Sequence, residues 1–169
     1  MSYILGYITA DGCISISKDR KTNPYTLNPI NVPNKYFSDF ARGFFDGDGT
    51  VYIYKVNGTP QIKAGFVSPT LSFIKDFNQR LCKSLCTSNK SIHIDDNRKK
   101  NAKILCYSIC FYIDDCEKLA KFMYQNKPSL YLPRKYKIFE RWKSIKRRQY
   151  IKHNYPSKIG WQLNQRVIN

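Results

Sequence analysis

The sequence is short of acidic residues, of histidine and of long apolar runs. Asp and Glu number 12 against 29 Lys and Arg, so the formal charge is +17. A field of this sign attracts a polyanion. Because 42% of the residues are hydrophobic and the chain carries 13 Tyr and 10 Phe, the composition predicts a folded nucleic-acid binder rather than a disordered basic tail.

No segment approaches the roughly 20 apolar residues that cross a bilayer. The first residues, MSYILGYITADG, lack the basic start and the cleavage site of a secretory signal. Membrane-surface binding needs one amphipathic basic helix, whereas the charge here is spread along the chain. We therefore expect an intracellular protein with no membrane partner that is not secreted. Richness in Lys, Asn, Ile and Tyr indicates AT-rich coding DNA, as in organelles or some bacteria. We therefore expect the protein in the cytoplasm or nucleoid of a prokaryote, or in an organelle.

Several enzyme classes lack their residues here. The two histidines, His93 and His153, are too few for a His-based metal-finger nuclease. Cysteine pairs start at Cys82 and Cys106, but each has three intervening residues rather than the two of a zinc knuckle, so reduced cysteines are expected. The absence of a P-loop and of Gly-x-Ser-x-Gly excludes the usual NTPase and esterase sites.

Periodicity predicts an α+β fold. Helical spacing of phenylalanines marks a helix from Asn34 to about Asp46. The elements after it are predicted to be a hairpin of strands 50–54 and 61–67 around an Asn-Gly turn, a helix capped at Ser68-Pro69, a hairpin of strands 91–94 and 104–112, a helix capped by residues 114–117 and a basic helix from Pro133 to Arg148. The order αββαββα with one antiparallel sheet follows. The tail beyond about residue 150 shows no period.

Two short segments resemble each other. Ile4–Gly12 and Ala41–Gly49 each have an apolar start, a glycine, two large apolar residues, a small residue and Asp-Gly. Small residues four apart lie on one face of a helix, so two such helices can approach closely. If they pack side by side with the same ends together, Asp11 and Asp48 emerge next to each other.

Two adjacent carboxylates repel each other unless a cation binds between them. Hard oxygen ligands favour Mg²⁺, or Mn²⁺, and we expect Asp11 and Asp48 to bind it together with Ala10 and Gly47. Such a metal can support phosphodiester cleavage. Asp-Gly after a helix is also a common turn, and an EF-hand is rejected because Thr-Val stands where its loop needs Asp or Asn followed by Gly.

At these residues the chain resembles the LAGLIDADG homing endonuclease family. The likeness covers about Asn31 to Arg148 as one full repeat, and the first dozen residues as the start of another. The resemblance implies a saddle-shaped antiparallel sheet in the DNA major groove, with Asp11 and Asp48 binding the catalytic metals. It also implies a basic residue that approaches the scissile phosphate, for which Lys135 is the candidate. In that family two repeats, in one chain or in a homodimer, cut both strands of double-stranded DNA.

The first repeat is short, since only Cys13 to Pro33 separates the first motif from the second helix, which begins at Asn34. We divide the chain into a truncated repeat (1–30) with one short hairpin, a complete repeat (31–150) and a tail (151–169). Either the first helix pairs within the chain, or two chains form a homodimer through the motif helices. The truncation also leaves open a non-cleaving protein, either an inactive remnant or a splicing cofactor (maturase) that binds intron RNA.

Strand alternation indicates which side chains face the DNA. Ile62, Ala64 and Phe66 mark the core face, so Gln61 and Lys63 should lie on the opposite, groove-lining face. Tyr52 and Tyr54 share one face, but alternation alone does not say which. Residues expected to hold phosphates are Arg98, Lys99, Lys100, Lys103 and Arg134.

Overall fold

A computed structural model describes residues 1–10, 32–94, 105–125 and 128–154. Its helices are α1 (Ser2–Ala10), α2 (Phe37–Asp48), α3 (Leu71–Ser84), α4 (Ile113–Tyr124) and α5 (Pro133–Asn154), and its strands are β1 (Thr50–Val56), β2 (Thr59–Ser68), β3 (Ile92–Ile94) and β4 (Tyr107–Tyr112). From α2 to α4 the order is αββαββα, as predicted. None of the described helices is long and apolar enough to span a membrane.

The four strands form one antiparallel sheet in the order β1-β2-β4-β3. At the turn between β1 and β2, Asn57 and Gly58 both have positive φ, 48° and 78°. This backbone matches the right-handed twist of a tight hairpin, and asparagine and glycine adopt it at little cost. The predicted first hairpin is therefore confirmed, with strands slightly longer than expected.

An aromatic core lies between one face of the sheet and the helices. Ile62, Ala64 and Phe66 are at most 1% exposed, so they face this core. The ring of Phe66 lies 5.5 Å from that of Phe44 and 4.9 Å from that of Phe77. Because the apolar residues of β2 alternate with polar ones, the other face of the sheet is left to solvent.

Two predicted helix starts were wrong. Ser68 is the last residue of β2, and its hydroxyl accepts a hydrogen bond from the Thr70 amide at 3.2 Å, so α3 begins only at Leu71. Helix α4 begins at Ile113, directly after β4 and without a side-chain cap. The carboxylate of Asp114, predicted to cap it, instead binds Lys146 at 2.7 Å.

The boundaries at the other helices shift less. Residues 34–36 form a single 3-10 turn, and the α-helix proper starts at Phe37. Helix α5 continues past the predicted end at Arg148 to Asn154. The predicted short hairpin of the first repeat and the connection between β3 and β4 lie outside the described residues.

Candidate metal and nucleic-acid site

Helices α1 and α2 pack against each other through their glycines. A Cβ built on Gly6 would overlap the carbonyl oxygen of Phe40, and one built on Gly43 would overlap that of Tyr3. Further along, a Cβ on Gly47 would overlap the Cβ of Ala10. These contacts advance in the same direction along both helices, so the helices are parallel with the same ends together. Of the two arrangements that the sequence left open, the structure has the two motif helices paired within one chain.

The paired ends bring two parts of the repeated motif together. Ala10, the last residue of α1, is 6% exposed and lies against Gly47, while Asp48, the last residue of α2, is exposed. Asp11 follows Ala10 directly but lies outside the described residues, so its closeness to Asp48 stays a prediction. Both helices end here, and helix C-termini carry partial negative charge. This end of the pair therefore favours a cation.

The donor set at this end fits a hard divalent cation. It consists of the Asp48 carboxylate and main-chain carbonyls at helix ends, which include Gly47 and Ala10. The Gly47 carbonyl meets the ammonium of Lys135 only at 3.4 Å. Within the described ranges no group of three or more His, Cys, Asp or Glu could hold a metal. A metal here would draw on Asp48, carbonyls and phosphate oxygens, with Asp11 as the expected second carboxylate.

Asp46 faces inward and does not join that set. It is 1% exposed, and its Oδ2 accepts hydrogen bonds from the Tyr3 hydroxyl at 3.0 Å and from the Leu132 amide at 2.8 Å. Its Oδ1 is buried without a hydrogen bond. Burial raises the pKa of this carboxyl, although both hydrogen bonds act in the opposite direction. Asp46 thus ties α1 and the segment before α5 to α2.

Arg42, one helical turn earlier on α2, makes a second set of contacts with distant parts of the chain. It is 5% exposed, and its guanidinium donates to the carbonyl of Leu130 at 2.9 Å and to that of Met123 at 2.7 Å. A third bond, at 2.7 Å, goes to Asp39. Sequence reasoning missed Arg42 and Asp46. The available signal was that the first motif copy has Leu5 and Thr9 at these positions.

Lys135 is buried at the C-terminal end of α2. It is 4% exposed, and its Nζ donates to the carbonyls of Phe45 at 2.6 Å, Asp46 at 3.0 Å and Gly49 at 2.5 Å, besides the longer contact with Gly47. Burial lowers the pKa of Lys135 to about 8. The ammonium is directed at the main chain around Asp48 and away from solvent, whereas we expected it to face a phosphate.

The solvent face of the sheet carries the predicted DNA-contacting side chains. In the strand register Tyr52 is opposite Lys63, and Tyr54 is opposite Gln61. Directly paired residues point to the same side of a sheet, so both tyrosines share the face of Gln61 and Lys63, opposite the core. The Lys63 ammonium also lies 5.7 Å from the ring centroid of Tyr112 on the next strand. These placements settle the side that alternation left open.

Asp48 and this sheet face line one cavity of about 190 Å³. Its walls include Asp48, Thr50, Tyr52, Lys63 and, from β4, the side chains Ser108 and Cys110. The two β4 residues were missed, although alternation along Tyr107–Tyr112 would have placed them opposite the buried Ile109 and Phe111. The carboxylate at the helix end and the polar sheet face therefore belong to a single surface.

Arg134 is the one predicted phosphate contact among the described residues, and it does not line this cavity. Arg134 is exposed in the first turn of α5. Four others lie outside the described residues, namely Arg98, Lys99, Lys100 and Lys103.

The sequence matches no protein-family profile and no curated protein. Among solved structures, the chain is similar to a LAGLIDADG homing endonuclease, I-GzeII, in complex with its DNA target, with a TM-score of 0.40 and 11% identity over 86% of this chain and 46% of that chain. It is also similar to the meganuclease I-SmaMI bound to an uncleavable DNA, with a TM-score of 0.40 and 15% identity over 96% of this chain and 56% of that chain. The chain thus spans about half the length of these two proteins.

Proposed function

We propose that this chain is a site-specific DNA endonuclease of the homing type that hydrolyses phosphodiester bonds of double-stranded DNA with a divalent metal. One observation carries the proposal. The close pairing of α1 with α2 ends beside the polar face of the sheet, so that Asp48 lines the same cavity as Tyr52 and Lys63. The carboxylate of Asp48, which would hold the catalytic metal, and the sheet face that would bind DNA would then act on the same duplex.

The solvent face of the sheet suits the major groove of DNA, where base edges offer hydrogen-bond donors and acceptors. A two-stranded antiparallel ribbon fits the major groove, where amide and ammonium side chains pair with base edges. Gln61 and Lys63 would make such contacts from β2, with Tyr52 and Tyr54 beside them on β1. Arg134 and the basic residues of the β3–β4 connection, Arg98, Lys99, Lys100 and Lys103, would hold phosphates, and the charge of +17 would draw the duplex in.

Asp48 and Asp11, together with the carbonyls of Gly47 and Ala10, would hold Mg²⁺ or Mn²⁺ at the scissile phosphate. When bound, such a metal polarises the phosphoryl group and lowers the pKa of a coordinated water. The chain's own part is to hold Asp48 beside the groove-lining face. Because the glycine face of α2 already contacts α1, we propose that the two aspartates come from one chain rather than from a homodimer through the motif helices.

A second candidate is a non-cleaving nucleic-acid binder, such as an intron RNA splicing cofactor or an inactive remnant. The observation in its favour is that only Cys13 to Pro33 separates the first motif from the second helix, which is too short for the other helices and hairpin of a full repeat. One sheet of four strands would cover only half of a two-repeat interface.

A cleavage assay distinguishes the two. The substrate is a supercoiled plasmid carrying the DNA that flanks the protein's own gene, incubated with Mg²⁺, with Mn²⁺ or with EDTA. We expect metal-dependent nicking or cutting that is lost in Asp48→Ala and kept in Asp76→Ala, which removes an exposed aspartate of α3. Absence of any cut, with intron RNA binding unchanged in Asp48→Ala, would instead establish the non-cleaving binder.

A further inference from the structure

The main chain around Asp48 is held on both sides by one side chain. The Lys135 ammonium binds the carbonyl of Gly49, which follows Asp48, at 2.5 Å, and it contacts that of Gly47, which precedes it, at 3.4 Å. Glycine on both sides gives this stretch more backbone freedom than other residues would. The lysine removes that freedom at the residue proposed to hold the metal.

The way α2 ends explains why a lysine is needed there. The last carbonyls of a helix lack intrahelical donors, and many helices supply such donors through a left-handed residue that turns the chain back. Here Gly49 is extended, with φ −64° and ψ 153°, because β1 starts immediately at Thr50. The carbonyls are left for an outside donor, and an ammonium offers three N–H groups and a charge that complements the helix end.

Residues 130–132, which precede α5, are held against α2 and thereby position the Lys135 ammonium. Asp46 accepts from the Leu132 amide, and Arg42 donates to the Leu130 carbonyl. Arg42 and Asp46 lie one turn apart on α2, and the carbonyls bound by Lys135 follow at the helix end. Three successive contacts along one helix therefore align residues 130–135 with α2.

We propose that Lys135 is a positioning residue, which sets the place and direction of the Asp48 carboxylate and does not itself contact the phosphate. This inference rests on the proposed nuclease function. A displacement of about 1 Å at a reacting group can lower a rate by about a hundredfold. Binding of DNA to the sheet face does not depend on this contact.

The test compares Lys135→Met, which removes the donors at similar length, with Lys137→Met, which removes an exposed lysine two residues further along α5. Single-turnover plasmid cleavage measures the rate, DNA affinity is measured in Ca²⁺, and Tb³⁺ luminescence sensitised by tyrosine measures metal binding without DNA. We expect Lys135→Met to lower the rate by about 10- to 100-fold and to weaken Tb³⁺ binding several-fold. DNA affinity should stay within about twofold, and Lys137→Met should match the wild type throughout.

If Lys135→Met does not fold, Lys135→Gln, which keeps two N–H donors, takes its place. A melting curve of each variant shows whether it is folded. Equal Tb³⁺ affinity and equal cleavage in the wild type and both variants, with Asp48→Ala inactive, would overturn the inference and leave the nuclease intact. A parallel loss of rate and DNA affinity would also overturn it, since it would show general damage. If the wild type does not cleave while Tb³⁺ binding still falls in Lys135→Met, the nuclease proposal fails and the positioning of Asp48 stands.

Discussion

Replacing Gly43 by alanine should detach α1 from α2. The new Cβ would overlap the carbonyl oxygen of Tyr3 and lie 2.8 Å from its carbonyl carbon. Carbon atoms in contact prefer about 3.5 Å or more, so α1 would have to withdraw by roughly 0.7 Å or more. The obstacle is main chain on both sides, so no side-chain rotation relieves it.

The expected cost is the balance of two losses and one gain. Overpacking of this kind costs about 1–3 kcal/mol, and weakening the bond from Tyr3 to the Asp46 carboxylate adds about 1.5–3 kcal/mol. Alanine regains about 1 kcal/mol through its higher helix propensity. The net loss of about 1.5–5 kcal/mol corresponds to a docking equilibrium that is weaker by at least about tenfold.

Hydrogen exchange of the N-terminal peptide, read by mass spectrometry, measures this docking. We expect the amides of α1 to exchange faster by about that factor in Gly43→Ala, whereas Ser72→Ala, at an exposed position of α3, should leave them unchanged. Wild-type protection of α1 in Gly43→Ala would refute the close-approach reasoning.

Three further predictions concern the interior. Because burial raises the pKa of Asp46, the folded state binds more protons than the unfolded state between the two pKa values, and this group makes stability fall as pH rises through that window. Asp46→Asn should therefore gain melting temperature relative to the wild type as the pH rises above about 4, near the pKa of a free aspartate; a difference that does not change with pH would contradict this. Burial raises the pKa of the Cys116 thiol to about 12, so iodoacetamide at mild alkaline pH should label exposed Cys86 first and Cys116 only after unfolding, as mapped by peptide mass. Phe66→Ala should cost about 3–5 kcal/mol in urea denaturation, since its ring contacts several others in the core; a loss below 1 kcal/mol would mean that the site repacks.

Local patterns in the sequence were enough for the helix pair and the first hairpin. The glycine spacing fixed which faces of α1 and α2 meet, and Asn57-Gly58 fixed the turn, because each depends on neighbours within a few positions. The starts of α3 and α4 could not be read in this way. Ser68 looks like a helix cap, but pairing with β4 keeps it in the strand.

The polar contacts behind the site depend on residues far apart in the chain. Asp46 meets Leu132 across 86 positions, and Lys135 meets Phe45 across 90. No periodicity links such partners, so a lysine that caps α2 looks in the sequence like a surface cation near a phosphate. The unequal motif copies, Leu5 against Arg42 and Thr9 against Asp46, were the only local sign that one helix carries an inward polar face.

One oxygen, Oδ2 of Asp46, receives hydrogen bonds from the third residue of the chain and from Leu132. A change at Tyr3 therefore alters the hydrogen bonding of Leu132, which directly precedes α5. The backbone amide of Leu132 is consequently a natural reporter for NMR, because its chemical shift should respond to any trimming, fusion or substitution made at Tyr3.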